Sequence, residues 1–273
     1  MAEKVWFITG TSRGFGRTWA EAALARGDKV AATARDTATL SGLVETYGDA
    51  VLPLTLDVTD RAADFEAVRQ AHEHFGRLDV VINNAGYGFF SAIEEATESE
   101  VRAQLETNLF GAIWVTQAAL PYLRKQRSGH IIQVSSIGGI AAFPTIGFYH
   151  ASKWGLEGFS EALAQEVAEF GINVTLVEPG GFDTDWRGSS SVHAEHNPAY
   201  DGVRERLYSR FAAAGSQGST PATAAAILAL VDAEEPPLRL LLGAAPTEMV
   251  KQVYASRLAT WAEWDAVSKA AQG

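Results

Sequence analysis

Seven short apolar runs, each separated from the next by a longer stretch, most of them of helical character, constrain this 273-residue chain more than any other feature. They fall at 5–9, 29–34, 51–56, 80–83, 130–135, 173–178 and 238–242. Most are apolar throughout rather than alternating. A strand with one wet face alternates, whereas a strand covered on both faces does not, so these runs predict parallel strands buried on both sides. Helical segments are predicted near 16–26, 61–75, 98–126, 148–170 and 220–233. Strand–helix alternation with right-handed crossovers places helices on both faces of one sheet. The expected fold class is therefore α/β: a single doubly wound, Rossmann-type domain over 1–273, with a parallel sheet of about seven strands. Neither a Pro/Ser linker nor an internal repeat marks a second domain.

Two regions break the alternation. Residues 185–219 read as a long loop with three serines at 189–191 and an embedded helix, whose apolar series is Tyr200, Val203, Leu207 and Phe211. Long loops in compact α/β chains are usually functional or mobile. Residues 247–269 read as a helical segment carrying Val250, Val253, Tyr254, Leu258, Trp261 and Trp264. Both series have the spacing of a face packed on the chain's own core. The second segment could equally seal a substrate site or shape an interface.

Charge narrows the partners. With 33 acidic and 22 basic residues the formal net charge is −11, which argues against nucleic acid or an anionic membrane. Any anionic ligand must then meet a local group of Arg residues. The chain has no Cys, hence no disulfide and no thiolate metal site. The apolar stretch from Val5 to Ile8 is too short for a signal-peptide core, and no run approaches the ~18 residues of a membrane helix. A cytoplasmic location is expected. Asn173-Val174-Thr175 fits the glycosylation pattern but falls inside a strand-like run. His193 and His196 suggest a metal pair, yet no flanking ligands complete a shell, so no metal site is expected.

Two motifs carry chemistry. Thr9-Gly10-Thr11-Ser12-Arg13-Gly14-Phe15-Gly16 follows the first strand and opens the first helix. Its glycines permit a tight turn and close backbone approach, and free N–H groups at the helix start attract a pyrophosphate. The spacing is GxxxGxG rather than GxGxxG. Tyr149 and Lys153 lie one helical turn apart on the same face. A fixed cation beside a phenol lowers its pKa and makes the pair a usable general acid or base. Ser136, thirteen residues before the Tyr, can hold a carbonyl oxygen.

Together with Asn83-Asn84-Ala85-Gly86, Asp57-Val58, Asn108 and Pro179-Gly180-Gly181-Phe182-Asp183-Thr184, these motifs resemble the short-chain dehydrogenases/reductases over residues 1 to about 184. The resemblance implies roles. Gly10, Ser12, Arg13, Gly14, Phe15 and Gly16 would line the pyrophosphate. Asp57 would bond the adenine amino group, with Val58 beside the ring, and Asn84 and Gly86 would border the adenosine ribose. For Asp57 and Asn84 the alternative is a strand-end cap. Pro179, Gly180 and Thr184 would cradle the nicotinamide. Tyr149 would be the proton donor, Ser136 the holder of the substrate oxygen, and Lys153 the cation that also binds the nicotinamide ribose. Asn108 would hold a water beside Lys153. His150, inside the Tyr–Lys motif, is expected to point away from the catalytic face.

The cofactor depends on the end of the second strand. Ala34 stands where NAD-preferring relatives carry an acid, and Arg35 follows it. Arg13 and Arg35 could grip a 2′-phosphate, which favours NADP(H) over NAD(H). Asp36 is the rival, since a one-residue strand shift would offer its carboxylate to the ribose. The substrate expected is a small hydrophobic carbonyl or alcohol, bulky and apolar, against walls from 137–143, 87–90 and 186–211. Phe89, Phe90, Phe143, Phe148 and Trp186 supply the aromatic surface. The resemblance also implies a homodimer or homotetramer. Rival readings are an NAD-dependent alcohol dehydrogenase, a non-catalytic nucleotide-binding redox sensor and a sugar-nucleotide epimerase.

Overall fold

The computed structural model describes residues 3–188, 190–213 and 217–272; of the three serines at 189–191, Ser189 lies outside them. Seven parallel strands form the sheet: β1 (Val5–Ile8), β2 (Lys29–Ala34), β3 (Val51–Thr55), β4 (Val80–Asn83), β5 (Gly129–Val134), β6 (Ile172–Pro179) and β7 (Arg239–Leu242). Their spatial order is β3-β2-β1-β4-β5-β6-β7. β1 therefore pairs on one side with β2, at Trp6 opposite Val30, and on the other with β4, at Trp6 opposite Val80. The chain winds outward in both directions from this pair, and a crevice opens at the strands' carboxyl ends where the order reverses.

The continuous apolar runs are explained by two cores. Trp6 and Ile8 face one way, with Val30, Ala32 and Ile82, onto α1 (Gly14–Ala25), α2 (Ser41–Tyr47) and α8 (Thr223–Asp232). Val5 and Phe7 face the other, with Val81 and Ile131, onto α3 (Arg61–Phe75), α5 (Gly111–Gln126) and α6 (Gly147–Val167). Trp19 joins α1 to α8 by donating its indole N–H to Thr223 Oγ1 at 2.8 Å. Helix α2 escaped the sequence reading because seven residues give too little periodicity to recognise.

The stretch expected as one helix over 98–126 is interrupted. α4 (Glu98–Leu105) passes through a π-helical segment, Glu106–Phe110, before α5 begins. Such single-turn bulges widen a helix locally and recur at functional sites. Asn108 sits within this one.

The 185–219 region is more ordered than a loop. Val192–His193 pairs in parallel with Phe89–Phe90, and α7 (Asp201–Ala213) follows. Beyond β7, α9 (Ala244–Glu263) and α10 (Asp265–Ala270) supply the helical character expected there. Their apolar series does not pack on the core, however: Leu258, Trp261, Trp264 and Val267 are exposed, and only Pro246 of α9 is buried. No described helix is long and apolar enough to cross a membrane.

One buried group opposes folding. Asp64 of α3 is fully buried, and neither carboxyl oxygen has a hydrogen-bond partner. Burial, reinforced by Asp60 and Asp57, pushes its pKa up to about 8 from 3.8. The folded state thus holds a proton that the unfolded chain releases, so stability falls as pH rises from the ordinary carboxylate range through about 8. Asp64→Asn is expected to gain stability relative to wild type by about 2 kcal/mol between pH 5 and pH 8. Urea melts at both pH values check this; an advantage that does not grow with pH contradicts it.

Candidate active site

A cleft of about 830 Å³ lies along the carboxyl ends of the central strands. The residues assigned to the nucleotide and to the reaction line it except Gly16, which lets the turn close, and Asn108, which is buried behind the cleft wall. Gly10 and Gly14 adopt positive φ, at 69° and 60°. At Gly16 a Cβ would stand 2.4 Å from the Gly10 carbonyl oxygen and 2.5 Å from Asn84 Nδ2. The crowding follows from Asn84 itself, which donates to the carbonyls of Thr9 and Gly10 at 2.8 and 2.9 Å. Asn84 thereby staples the end of β4 to the glycine turn while still lining the cleft. The amide groups that open α1 face the cleft as a ready site for a pyrophosphate.

At the end of β2 the rival carboxylate is otherwise engaged. Asp36 Oδ1 accepts from the Ala38 N–H at 2.9 Å, capping the 3₁₀ turn Thr37–Leu40, and the residue does not line the cleft. Arg35 does line it, at the strand end fixed by the pairing of Ala34 with Thr55. Arg13 also lines the cleft, and its guanidinium lies 3.7 Å from Asp185, with both side chains about half exposed. That ion pair is weakly held. Asp57 accepts from the Thr59 N–H and hydroxyl through Oδ1, and Val58 is buried against Gly111. The glycine cradle and the amide-rich turn fit the pyrophosphate of a nicotinamide dinucleotide.

The adjacent serines separate cleanly. Ser135 Oγ donates to Glu157 Oε1, away from the reacting end, whereas Ser136 hydrogen-bonds Tyr149 and accepts from the Gly138 N–H at 2.9 Å. Tyr149 is buried, and burial pushes its pKa up to about 12, with the Ser136 bond opposing. Lys153 is pushed down to about 8 by burial, with Glu157 opposing. Its Nζ donates to the Val134 carbonyl at 2.7 Å and stands 5.8 Å from the centre of the Tyr149 ring. Behind them, Arg239 pairs with Glu157 and Glu178, and burial and the Glu157 charge raise the Glu178 pKa.

Asn108 is anchored by contacts that the sequence did not show. Its Oδ1 accepts from the Tyr87 N–H at 3.0 Å, and its Nδ2 donates to the Tyr87 carbonyl at 2.9 Å and to Ser152 Oγ at 3.4 Å. It holds the Gly86–Tyr87 turn against Lys153, where a Cβ on Gly86 would come within 3.8 Å of Nζ. His150 is the clearest correction. Instead of pointing away, it is buried, lines the cleft and bridges Gly138 and Phe143. No spacing rule could have shown this, because the partner is a loop folded back by the tertiary structure.

On the substrate side, Trp186 covers Tyr149, with ring centroids 5.0 Å apart, and meets Phe90 edge-on at 5.3 Å. Gly88 admits the indole: a Cβ there would be 2.7 Å from it. Phe143, Ile146, Leu207 and Met249 complete an apolar wall. Phe89 and Phe148 do not line the cleft; they stack on each other beneath it. Of the helix series, Leu207 reaches the cleft and Tyr200 does not. His193 stacks on Phe90 and His196 pairs with Asp201, and no metal-binding cluster occurs among the described residues.

Known proteins resemble this chain in sequence and fold. An oxidoreductase of Botryotinia fuckeliana, BOA17, is 49% identical over 243 residues, 88% of this chain and 89% of its own. A 3-ketodihydrosphingosine reductase of Bacteroides thetaiotaomicron is 44% identical over 70% of this chain and 69% of its own. The crystal structure of a short-chain dehydrogenase from Streptomyces avermitilis superposes with a TM-score of 0.93 at 40% identity, covering 99% of this chain and 98% of that one. A Burkholderia cenocepacia short chain dehydrogenase in complex with NADP gives 0.75 at 28% identity, covering 96% and 97%. A Brucella melitensis 3-ketoacyl-(acyl-carrier-protein) reductase complexed with NADH also gives 0.75, at 25% identity and covering 88% and 96%. The sequence profile of the short chain dehydrogenases matches residues 4–195, and with it the glycine turn, the Ser–Tyr–Lys group and the sheet order place this chain in that family.

Proposed function

We propose that the protein is an NADP(H)-dependent oxidoreductase that interconverts a carbonyl and a secondary alcohol on a bulky hydrophobic substrate. The observation that carries the reading is the meeting of Ser136, the buried Tyr149 and Lys153 in one cleft, facing a wall of Trp186, Phe90 and Phe143. The relative named as a 3-ketodihydrosphingosine reductase supports a ketone as the oxidised partner.

The nicotinamide supplies or accepts the hydride when bound. The chain does the rest. Pro179, Gly180 and Thr184 line the cleft and would hold the ring, and Lys153, which also lines it, would hold the ribose. Ser136 Oγ, fixed by the Gly138 amide, orients the carbonyl oxygen toward the phenol. Tyr149, protonated at neutral pH because it is buried, delivers its proton to that oxygen. Lys153 then stabilises the phenolate left behind. Trp186 and Phe90 shield the site from water. In the alcohol-to-carbonyl direction the same groups run in reverse.

The preference for NADP(H) rests on Arg35 lining the cleft while Asp36 caps its own turn. Arg35→Asp is expected to weaken NADPH by about a hundredfold and NADH by no more than about threefold. Equal losses for both, measured by fluorescence titration, would sink this assignment. The activity itself is tested by following NADPH and NADH consumption across a panel of hydrophobic ketones. Ketone-dependent oxidation of NADPH is expected; silence of the whole panel with both nucleotides would favour a nucleotide sensor instead. The reading includes a homodimer or homotetramer, checked by mass in solution.

A further inference from the structure

The loop between Ser136 and Tyr149 forms one wall of the substrate side, through Ile137, Gly138 and Phe143. Two side chains hold it, from different helices. His150 grips it at both ends of a six-residue span: its Nδ1 lies 2.7 Å from the Gly138 carbonyl, and its Nε2 2.8 Å from the Phe143 amide nitrogen. An amide can only donate, so Nε2 accepts and the proton sits on Nδ1, donated to Gly138. The ring is thus a neutral bridge, and burial, which lowers its pKa, keeps it so. Between these two points Arg257 of α9 donates to the Ile140 carbonyl at 2.7 Å. Its guanidinium is itself braced, lying 4.9 Å over the Trp154 ring of α6 and 5.8 Å from the Tyr254 ring. The same helix places Pro246 and Met249 in the cleft.

We propose that His150 and Arg257 are positioning residues that preset the 137–143 wall, so that α9, outside the region matched by the family profile, fixes which carbonyl substrates fit. The proposal deepens the reading of the site as a carbonyl reductase and rests on it for the substrate's nature. The physical basis is that the loop's own backbone bonds are confined to the 3₁₀ turn at Ile137–Gly139 and the Ile140 and Ala141 amides after it, so the rest of the span needs side-chain partners to keep one shape. His150 supplies two bonds and Arg257 the third, all from rigid helices. Ser136 is also tied into the 3₁₀ turn by the Gly138 and Gly139 amides, so releasing the outer loop should disturb substrate fit before it disturbs the chemistry.

The test combines a readout that needs no turnover with one that does. Hydrogen–deuterium exchange over 137–143 is measured for wild type, Arg257→Ala, Arg257→Lys, His150→Phe and His150→Gln. Loss of a loop bond should speed exchange by about tenfold in Arg257→Ala and His150→Phe. Arg257→Lys keeps a donor, and His150→Gln keeps both donor and acceptor, so each should recover part of the protection. In turnover assays, KM for the bulkiest accepted ketone should rise by about tenfold, with kcat and NADPH affinity changed by less than about threefold. The smallest accepted ketone should be affected least. Unchanged exchange in both Arg257→Ala and His150→Phe overturns the clasp. Faster exchange with KM unchanged, or with kcat and NADPH affinity falling together, overturns its role in selectivity. Should wild type reduce no ketone, the proposed activity fails, while exchange still decides whether the loop is clasped. If an Ala or Phe variant does not fold, the Lys and Gln variants carry the comparison.

Discussion

Tyr149→Phe is expected to lower kcat for carbonyl reduction by about a thousandfold while leaving NADPH affinity within about twofold of wild type. The phenol is the group placed to donate a proton: it is buried, bonded to Ser136, and held protonated at neutral pH by its surroundings. Phe keeps the ring that Trp186 covers and removes only the hydroxyl, so the packing at 5.0 Å survives. A structural role for the tyrosine would therefore leave turnover nearly intact. Stopped-flow reduction with saturating NADPH measures the step directly, and substantial remaining activity would refute the role. The pH profile offers an independent check. Lys153, pushed down to about 8 by burial, is charged below that pH and neutral above it. Reduction should hold steady through neutral pH and decline as pH rises through about 8, because the phenolate then loses its cation.

Gly16→Val should abolish measurable nucleotide binding, with a loss of at least about a hundredfold in NADPH affinity. Even a single Cβ at this position would stand 2.4 Å from a backbone carbonyl and 2.5 Å from Asn84 Nδ2. Neither neighbour can yield cheaply. The carbonyl belongs to Gly10, whose positive φ fixes the turn, and the amide of Asn84 is the staple that holds that turn to β4. The branched side chain must force α1 away from the sheet and spoil the amide cradle. Gly14→Ala gives the contrast. Nothing lies within 4 Å of a Cβ there, so only the strain of its 60° φ is felt, about 1 kcal/mol. Isothermal titration with NADPH distinguishes them; equal losses would mean that backbone strain, not close approach, governs the turn.

Much of this molecule was legible before its structure. Trp6, Phe7 and Ile8 are consecutive and all fully buried, which a strand achieves only between two layers, so an uninterrupted apolar run announces a doubly covered sheet. The glycine turn was readable because its chemistry is local: strand, turn and helix start are contiguous. Tyr149 and Lys153 were readable because helical periodicity alone brings them to one face. Asn108 was singled out from the resemblance, but its hold on Tyr87 was not legible. A continuous helix was predicted there, and only the π-helical segment sets its amide against Tyr87.

The sequence by itself determined the layer order, the phosphate-binding turn and the reacting pair, since each follows from periodicity or adjacency along a few residues. Tertiary structure alone decided the rest. Whether Arg35 or Asp36 faces the cleft turned on a 3₁₀ cap that occupies the carboxylate. Ser136 and Ser135 are neighbours in sequence, yet one meets Tyr149 and the other a buried glutamate. Trp186 over Tyr149, His150 on Phe143 and Arg257 on Ile140 join segments up to 117 residues apart. Such contacts have no period to read, because they are selected by packing after the chain has closed on itself.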